Sequence, residues 1–398
     1  MTQDLHYRED VRALDDPEPD RTVDDPPPPR PRVVAAVTGV FAVLAVLVSV
    51  LGGDLLNPPA STADGDYAGE TVSFLIPLAE GGGTDTWARF IGTELTRSTP
   101  GRPGFAPEND DGGEGILGTN RFMTSAADDG TEILVSTAST VVPYLLRMPS
   151  VRYDFSRLQP IVANGTGAVV YARTGAGVDG VEDLVDRERP LKFGGIAATS
   201  LDLTTLLAFD LLRMDVDAVF GFEGRGPVNL ALQRGEIDID YQTTSSYGPA
   251  VEPLVEEGAA VPLFSLGQVD AEGDVVRDPN FKEIPTVVEV YEQLYGEEPD
   301  PRTLETYRSI LALTYTYQKA LWVPQETPGE AVGTLRATAH ELSRDPAFQK
   351  RADEVLGGYP LDASEDLPKR IGTAYTVDEA VRADVVHLLE STYHITME

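Results

Sequence analysis

A repeated pattern constrains this chain more than any other feature: a short apolar strand pattern, a loop of glycine or hydroxyl residues, then a helical pattern. Val72, Phe74 and Ile76 alternate with Thr71, Ser73 and Leu75, and the run ends at Pro77-Leu78-Ala79-Glu80-Gly81-Gly82-Gly83. Thr84 or Asp85 can then cap a helix in which Trp87, Ile91 and Leu95 recur every four residues. The pattern returns at Glu132 to Ser136 before Thr137-Ala138-Ser139-Thr140, and at Leu191-Lys192-Phe193 before Gly194 to Ser200. It returns again at Val219 to Phe222 before Glu223-Gly224-Arg225-Gly226-Pro227, and at Ile237 to Tyr241 before Thr243-Thr244-Ser245-Ser246. Strands alternating with helices predict an α/β fold with mainly parallel sheets.

Stop and start signals mark further elements. Pro227 suits a first helical turn and Gly235 a stop; Glu257-Gly258 ends the next helix, and Pro262 to Leu266 reads as one more strand. Asp345-Pro346 reads as a cap and first turn, and Thr376 with Glu379 as a capping box before Val381, Val385 and Leu388. No period of the solenoid kind is present.

The charge is −34, and residues 1 to 32 hold nine acidic and five basic side chains, a net −4, which leaves −30 on the remainder. Nucleic-acid affinity comes from Lys and Arg neutralising phosphates, so this balance excludes a phosphate-backbone binder. Only five of the 31 basic residues are Lys. High salt, with a Debye length of about 3 Å at 1 M, would screen such a surface, as in a salt-loving host. The absence of Cys removes disulfides, thiolate nucleophiles, Cys-based zinc sites and a lipid-bearing lipobox cysteine.

One segment is not globular. Val33 to Leu51 is an uncharged apolar run close to the ~20 residues of a membrane-spanning helix. Arg30 and Arg32 precede it and Asp54 follows, so the positive-inside rule puts the N-terminus in the cytoplasm and the folded part outside. A cleaved signal peptide is the rival reading, but the long Asp- and Pro-rich leader favours an uncleaved anchor. The expected division is a disordered cytoplasmic tail at 1–32, a transmembrane anchor at 33–53 and a flexible spacer at 54–68.

The loops after the strands carry the binding candidates. Gly82 and Gly83 permit close backbone approach, and the helix start behind them carries about half a positive charge, which suits a carboxylate; the alternative is an ordinary tight turn. Ser136, Thr137, Thr199, Ser200, Thr243 and Thr244 can each donate to carboxylate oxygens or serve only as helix caps. In open α/β sheets such loops gather beyond the carboxyl ends of the strands, where ligands bind. Arg225 can hold a carboxylate with its fork, or pair with Glu223.

Catalysis finds little support. His6, His340, His387 and His394 show no metal spacing, there is no Gly-x-Ser-x-Gly elbow, and carboxylates are so frequent that pairs are expected by chance. No enzyme activity, metal or cofactor is expected.

Several blocks, in order, resemble the Bug-type substrate-binding receptors of tripartite tricarboxylate transporters. Ile76 to Arg89 is similar to that family's Pro, glycine-run, Thr-Asp, Ala-Arg opening, and Glu108 to Gly115 with Gly118 to its Glu-Asn-Arg-Pro-Gly-Ala-Gly-Gly stretch, with acids replacing Arg, Pro and one Gly. Asp129-Gly130-Thr131, Phe193-Gly194 with Ser200, Gly224 to Pro227 before Gly235-Glu236-Ile237-Asp238, Ile284-Pro285-Thr286 and Asp345-Pro346 continue the match. The departures are Glu80, Arg225 in place of Gly, and Ile196-Ala197-Ala198 in place of Pro-Gly.

The resemblance implies a two-lobed, type II-like periplasmic-binding fold, which would follow the single transmembrane helix read from the apolar run, with 69–165 and 268–398 forming one lobe and 166–267 the other. It implies a small carboxylate clamped between lobes that swing about crossovers near 161–172 and 263–268. Gly83, Thr84, Asp85, Thr199 and Ser200 inherit the contact positions, and Glu80 and Gly82 of the same first loop join the ligand-binding candidates. The expected partners are a mono- or dicarboxylate and membrane permease subunits, with the receptor a monomer. A membrane-anchored sensing module for a signalling partner is the alternative.

Overall fold

The computed structural model describes residues 62–396. The expected cytoplasmic tail, transmembrane anchor and most of the spacer lie outside the described residues. No helix among the described residues is long and apolar enough to cross a membrane. The last spacer residues are docked, because Tyr67 is fully buried and the Thr334 hydroxyl donates to the Gly65 carbonyl at 3.0 Å.

The first half of the chain builds most of one sheet from β1 (Thr71–Ile76), β2 (Gly104–Asn109), β3 (Glu132–Thr137) and β4 (Leu158–Asn164). The chain then builds a second sheet from β5 (Ala168–Arg173), β6 (Leu191–Gly194), β7 (Val216–Val219), β8 (Ile239–Thr243) and β9 (Ala260–Ser265). A small hairpin of β10 (Gln268–Val269) and β11 (Val275–Val276) follows, and β12 (Lys319–Pro324) with β13 (Leu361–Asp362) returns to the first sheet. The orders are β13-β4-β12-β3-β1-β2 and β7-β6-β8-β5-β9.

The sheets are mixed rather than mainly parallel. β1 pairs in parallel with β2 and β3, and β6 with β7 and β8, as strand-helix-strand units require. β12, by contrast, runs antiparallel between β3 and β4, and β5 antiparallel between β8 and β9. β5 has crossed from the other sheet, and β12 has returned to its own, so each enters from the opposite direction. The β4-to-β5 crossover is only Gly165-Thr166-Gly167.

The local signals place the helices well. Asp345 accepts from the Ala347 amide at 2.9 Å with Pro346 in the first turn, and Gly235 and Gly258 take left-handed conformations just past their helices. The C-terminal helix Glu379–Ser391 is capped by Asp378, not Thr376, whose hydroxyl instead donates back to Gly372. The strand expected from Val219 onward ends there, and Phe220 to Gly224 is loop.

Trp87, Ile91 and Leu95 of the Gly83–Ser98 helix pack with Leu335, Leu342 and Phe348 over one face of the first sheet. Burying a side chain of this size contributes roughly 1.5–3 kcal/mol. The second sheet packs one face on Val228, Leu232 and Tyr247. Its other face packs on Leu203, Leu206 and Phe209 of the Asp202–Leu211 helix, and Val287, Tyr307 and Ile310 complete that layer from beyond residue 267.

Candidate functional site

β1 and β3 end side by side in the first sheet, so their loops rise together. After β1, Glu80 to Gly83 are solvent-exposed, and Gly82 caps the Gly83–Ser98 helix without any side-chain bond, leaving its first amides open to a ligand. Thr84 and Asp85 of the first turn are buried. The Asp85 carboxylate faces inward: it accepts from the Gly81 amide at 2.9 Å, Arg89 Nε at 2.8 Å and Asn109 Nδ2 at 2.9 Å. Burial raises this carboxyl, but the Gly81, Asn109 and Arg89 bonds outweigh burial and hold it below its usual range. Asp85 thus shapes the glycine loop. Glu80 lies 3.6 Å from Arg89 at the surface.

Asp85→Asn is expected to lower stability at pH 7 by about 1.5–3 kcal/mol, the range for hydrogen bonds to a charged group. A depressed carboxyl contributes stability present above its unfolded pKa and lost as pH falls through its folded one. The gap between variant and wild type, read by urea unfolding, should therefore close below about pH 4.

After β3, Thr137 caps the Ala138–Leu145 helix through Ser139, with Thr140 closing the capping box. Ser136 is fully buried and accepts from the Trp322 indole at 2.7 Å. The 112–115 loop joins this group. Gly115 has φ 96°, and a Cβ there would stand 2.9 Å from both the Pro77 carbonyl and the Thr140 methyl, which explains glycine. Asp110, the acid that replaces the expected Arg, is paired: Arg121 binds it at 2.6 Å and also holds Glu108 at 2.7 Å.

In the second lobe, Asp202 organises the loop after β6. One of its oxygens accepts the Ile196 and Ala197 amides at 2.5 and 3.0 Å, the other the Tyr241 hydroxyl at 2.6 Å. Thr199 is half-buried, and the Ser200 hydroxyl donates to the Ala197 carbonyl at 2.7 Å. Thr243 is half-buried at the end of β8. Thr244 accepts the Gly167 amide at 3.1 Å and meets the Tyr359 hydroxyl at 2.9 Å, so it joins the crossover.

Arg225 turns inward. Its acids are Asp240 at 2.8 Å and Asp202 at 3.3 Å, not Glu223, and it also donates to the Gly194 carbonyl at 3.2 Å. The guanidinium stacks 4.4 Å from the centre of the Tyr241 ring. Burial pushes the Asp240 carboxyl up despite Arg225 and the Tyr171 hydroxyl. Both forks of Arg225 are therefore engaged within its own lobe. The sequence could not show this, because Asp202 and Asp240 reach it only through the fold.

The Asp202–Leu211 helix also meets other segments of the chain. The Thr204 and Thr314 hydroxyls lie 2.6 Å apart, and the Glu114 carboxyl is raised by partial burial and then by the negative charge of Asp202. A cavity of about 920 Å³ lies elsewhere, lined by Gly165, Gln268, Glu305, Tyr317, Tyr359 and Arg370 and by none of the contact positions named above. Among the described residues no group of His, Asp and Glu is arranged to hold a metal ion.

No family model matches the chain. Protein BugT of Bordetella pertussis is 26% identical over 261 residues, covering 64% of this chain and 74% of that protein. A TctC solute binding protein from Polaromonas has a TM-score of 0.59 at 17% identity, over 82% of this chain and 99% of that one. An R. palustris protein with adipate gives 0.59 at 20% identity over 82% and 98%, and MatC from Rhodopseudomonas palustris with bound malate gives 0.54 at 21% over 80% and 99%. At these identities the solved structures establish the two-lobed fold. The chain is thus similar in sequence to BugT over 74% of that protein, and similar in fold to a TctC solute binding protein over 82% of its own length.

Proposed function

We propose that this chain captures a small carboxylate between its lobes and delivers it to membrane permease subunits of the tripartite tricarboxylate type. One observation carries the reading. The uncapped start of the Gly83–Ser98 helix, behind an exposed glycine loop, sits beside the end of β3 on the same sheet edge. Neutral backbone donors there suit an anion even in an acidic chain. Malate and adipate, held by two proteins of the same fold, are both dicarboxylates. The ligand contacts assigned to this site are Gly82, Gly83, Thr84 and the loop at Thr199 and Ser200, with Asp85, Arg225 and Thr244 holding those loops in place. The apolar run at 33–53 would keep the receptor at the outer face of the membrane, next to its permease.

Thermal unfolding of the full-length chain in detergent and high salt, against mono-, di- and tricarboxylates, tests this. A ligand at 100 times its dissociation constant adds about 2.7 kcal/mol to the folded state and raises the midpoint. A panel in which no carboxylate moves the midpoint contradicts carboxylate capture.

A further inference from the structure

The first residue of β12 is a lysine that the sequence pattern did not single out. Antiparallel pairing sets Lys319 opposite Thr137 at the end of β3 and opposite Asn164 at the end of β4. Cross-strand partners project to the same face. Lys319 therefore shares a face with Thr137, the cap of the Ala138–Leu145 helix, and with Asn164, whose side-chain oxygen accepts the Trp87 indole at 3.1 Å. Trp87 in turn lies one turn into the helix behind the glycine loop. The lysine thus stands at the same end of the sheet as the two first-lobe loops, on the strand beside β3.

Its electrostatic situation is the reverse of Arg225's. Arg225 has two carboxylates; the Lys319 ammonium donates to the Gln318 side chain and forms no ion pair with a described carboxylate. Burial pushes it down to about 8, and no acid draws it back up. The residue as a whole keeps partial solvent contact, at the end of the sheet where β3 stops, and it does not line the 920 Å³ cavity. A desolvated ammonium without a counter-ion destabilises the empty protein, and an incoming carboxylate removes that penalty. Glu80 of the glycine loop and Glu114 of the 112–115 loop oppose anions, which makes a cation at this end of the sheet more consequential.

Resting on the carboxylate-capture reading above, we infer that Lys319 is the counter-ion for one ligand carboxylate and that it selects dicarboxylates over their singly charged analogues. One carboxylate takes the open amides of the glycine loop and the other reaches Lys319.

Titration calorimetry on the full-length chain tests this, with succinate and adipate set against their monoamides, in the wild type, Lys319→Met and Lys319→Gln. The two variants remove the charge with different side chains, so a folding defect in one does not decide the outcome. The wild type should prefer each diacid that binds over its monoamide by roughly 10- to 100-fold, and both variants should bring that ratio near unity. The unliganded midpoint of Lys319→Met should equal or exceed that of the wild type, while its diacid-saturated midpoint falls below. A merely structural lysine would not produce this crossing. An unchanged diacid-to-monoamide ratio in the variants overturns the inference alone. Failure of the wild type to bind any carboxylate overturns the capture reading and the inference with it.

Discussion

Arg225→Met is expected to lower the unfolding free energy of the full-length chain by about 3–5 kcal/mol, the cost of removing one partner from a buried ion pair. Asp202 and Asp240 are both fully buried, and Arg225 is the cation within salt-bridge distance of each. Methionine matches the length of the apolar stem, so the loss reports the guanidinium, its ion pairs and its stacking on Tyr241, rather than the stem's volume. The deficit should also depend on pH. The Asp240 carboxyl is already raised by burial, and losing the guanidinium raises it further. A carboxyl with a raised folded pKa contributes stability that is fully present below its unfolded pKa and lost as pH rises through the folded one. The variant should thus lie nearest the wild type at about pH 4 and fall away towards pH 8. Guanidinium unfolding at both ends of that window checks the sign. A loss below 1 kcal/mol at pH 8 would mean that the two aspartates are not held by Arg225.

Gly167→Ala is expected to lower stability by about 2–4 kcal/mol, combining overpacking with damage to a buried hydrogen-bond network. Gly167 sits in the three-residue crossover, and a Cβ there would stand 1.7 Å from the Asp278 carboxylate and 2.1 Å from the Tyr359 hydroxyl. These two groups cannot simply move aside. Asp278 is fully buried, bonded to Tyr359 and braced by the Asn280 amide at 2.8 Å, and Tyr359 also meets Thr244 across the crossover. Tyr359→Phe vacates one of the two colliding positions, so the double variant Gly167→Ala/Tyr359→Phe should lose less than the sum of the two single changes. Additive losses in that cycle would show that the collision is relieved elsewhere.

What the sequence disclosed and what it withheld divide along sequence separation. The glycine loop after Ile76, the Asp345-Pro346 cap and the glycine stop at 235 were legible because their causes lie within a few residues. The two-lobed architecture was legible from ordered blocks that resemble a family, and the fold comparison agrees. The inward turn of Arg225 was not legible, since its acids lie on another helix and another strand and only the folded sheet brings them together. Lys319 was missed for the same reason. Its strand is inserted between β3 and β4 by long-range antiparallel pairing, which no alternation within Lys319 to Pro324 could reveal. Ser136, Thr137 and Thr244 illustrate a third case: each hydroxyl was read as a possible ligand donor, and each has a partner inside the protein.

The measurement that bears most directly on carboxylate capture is a crystal structure of the protein grown with the dicarboxylate that most raises its unfolding midpoint. The expected electron density lies between the lobes, with one carboxylate on the amides of Gly83 and Thr84 and the other within hydrogen-bond distance of the Lys319 ammonium. Density for the ligand in the cavity lined by Gly165, Gln268 and Arg370, with the strand-end cleft holding only water, would contradict it.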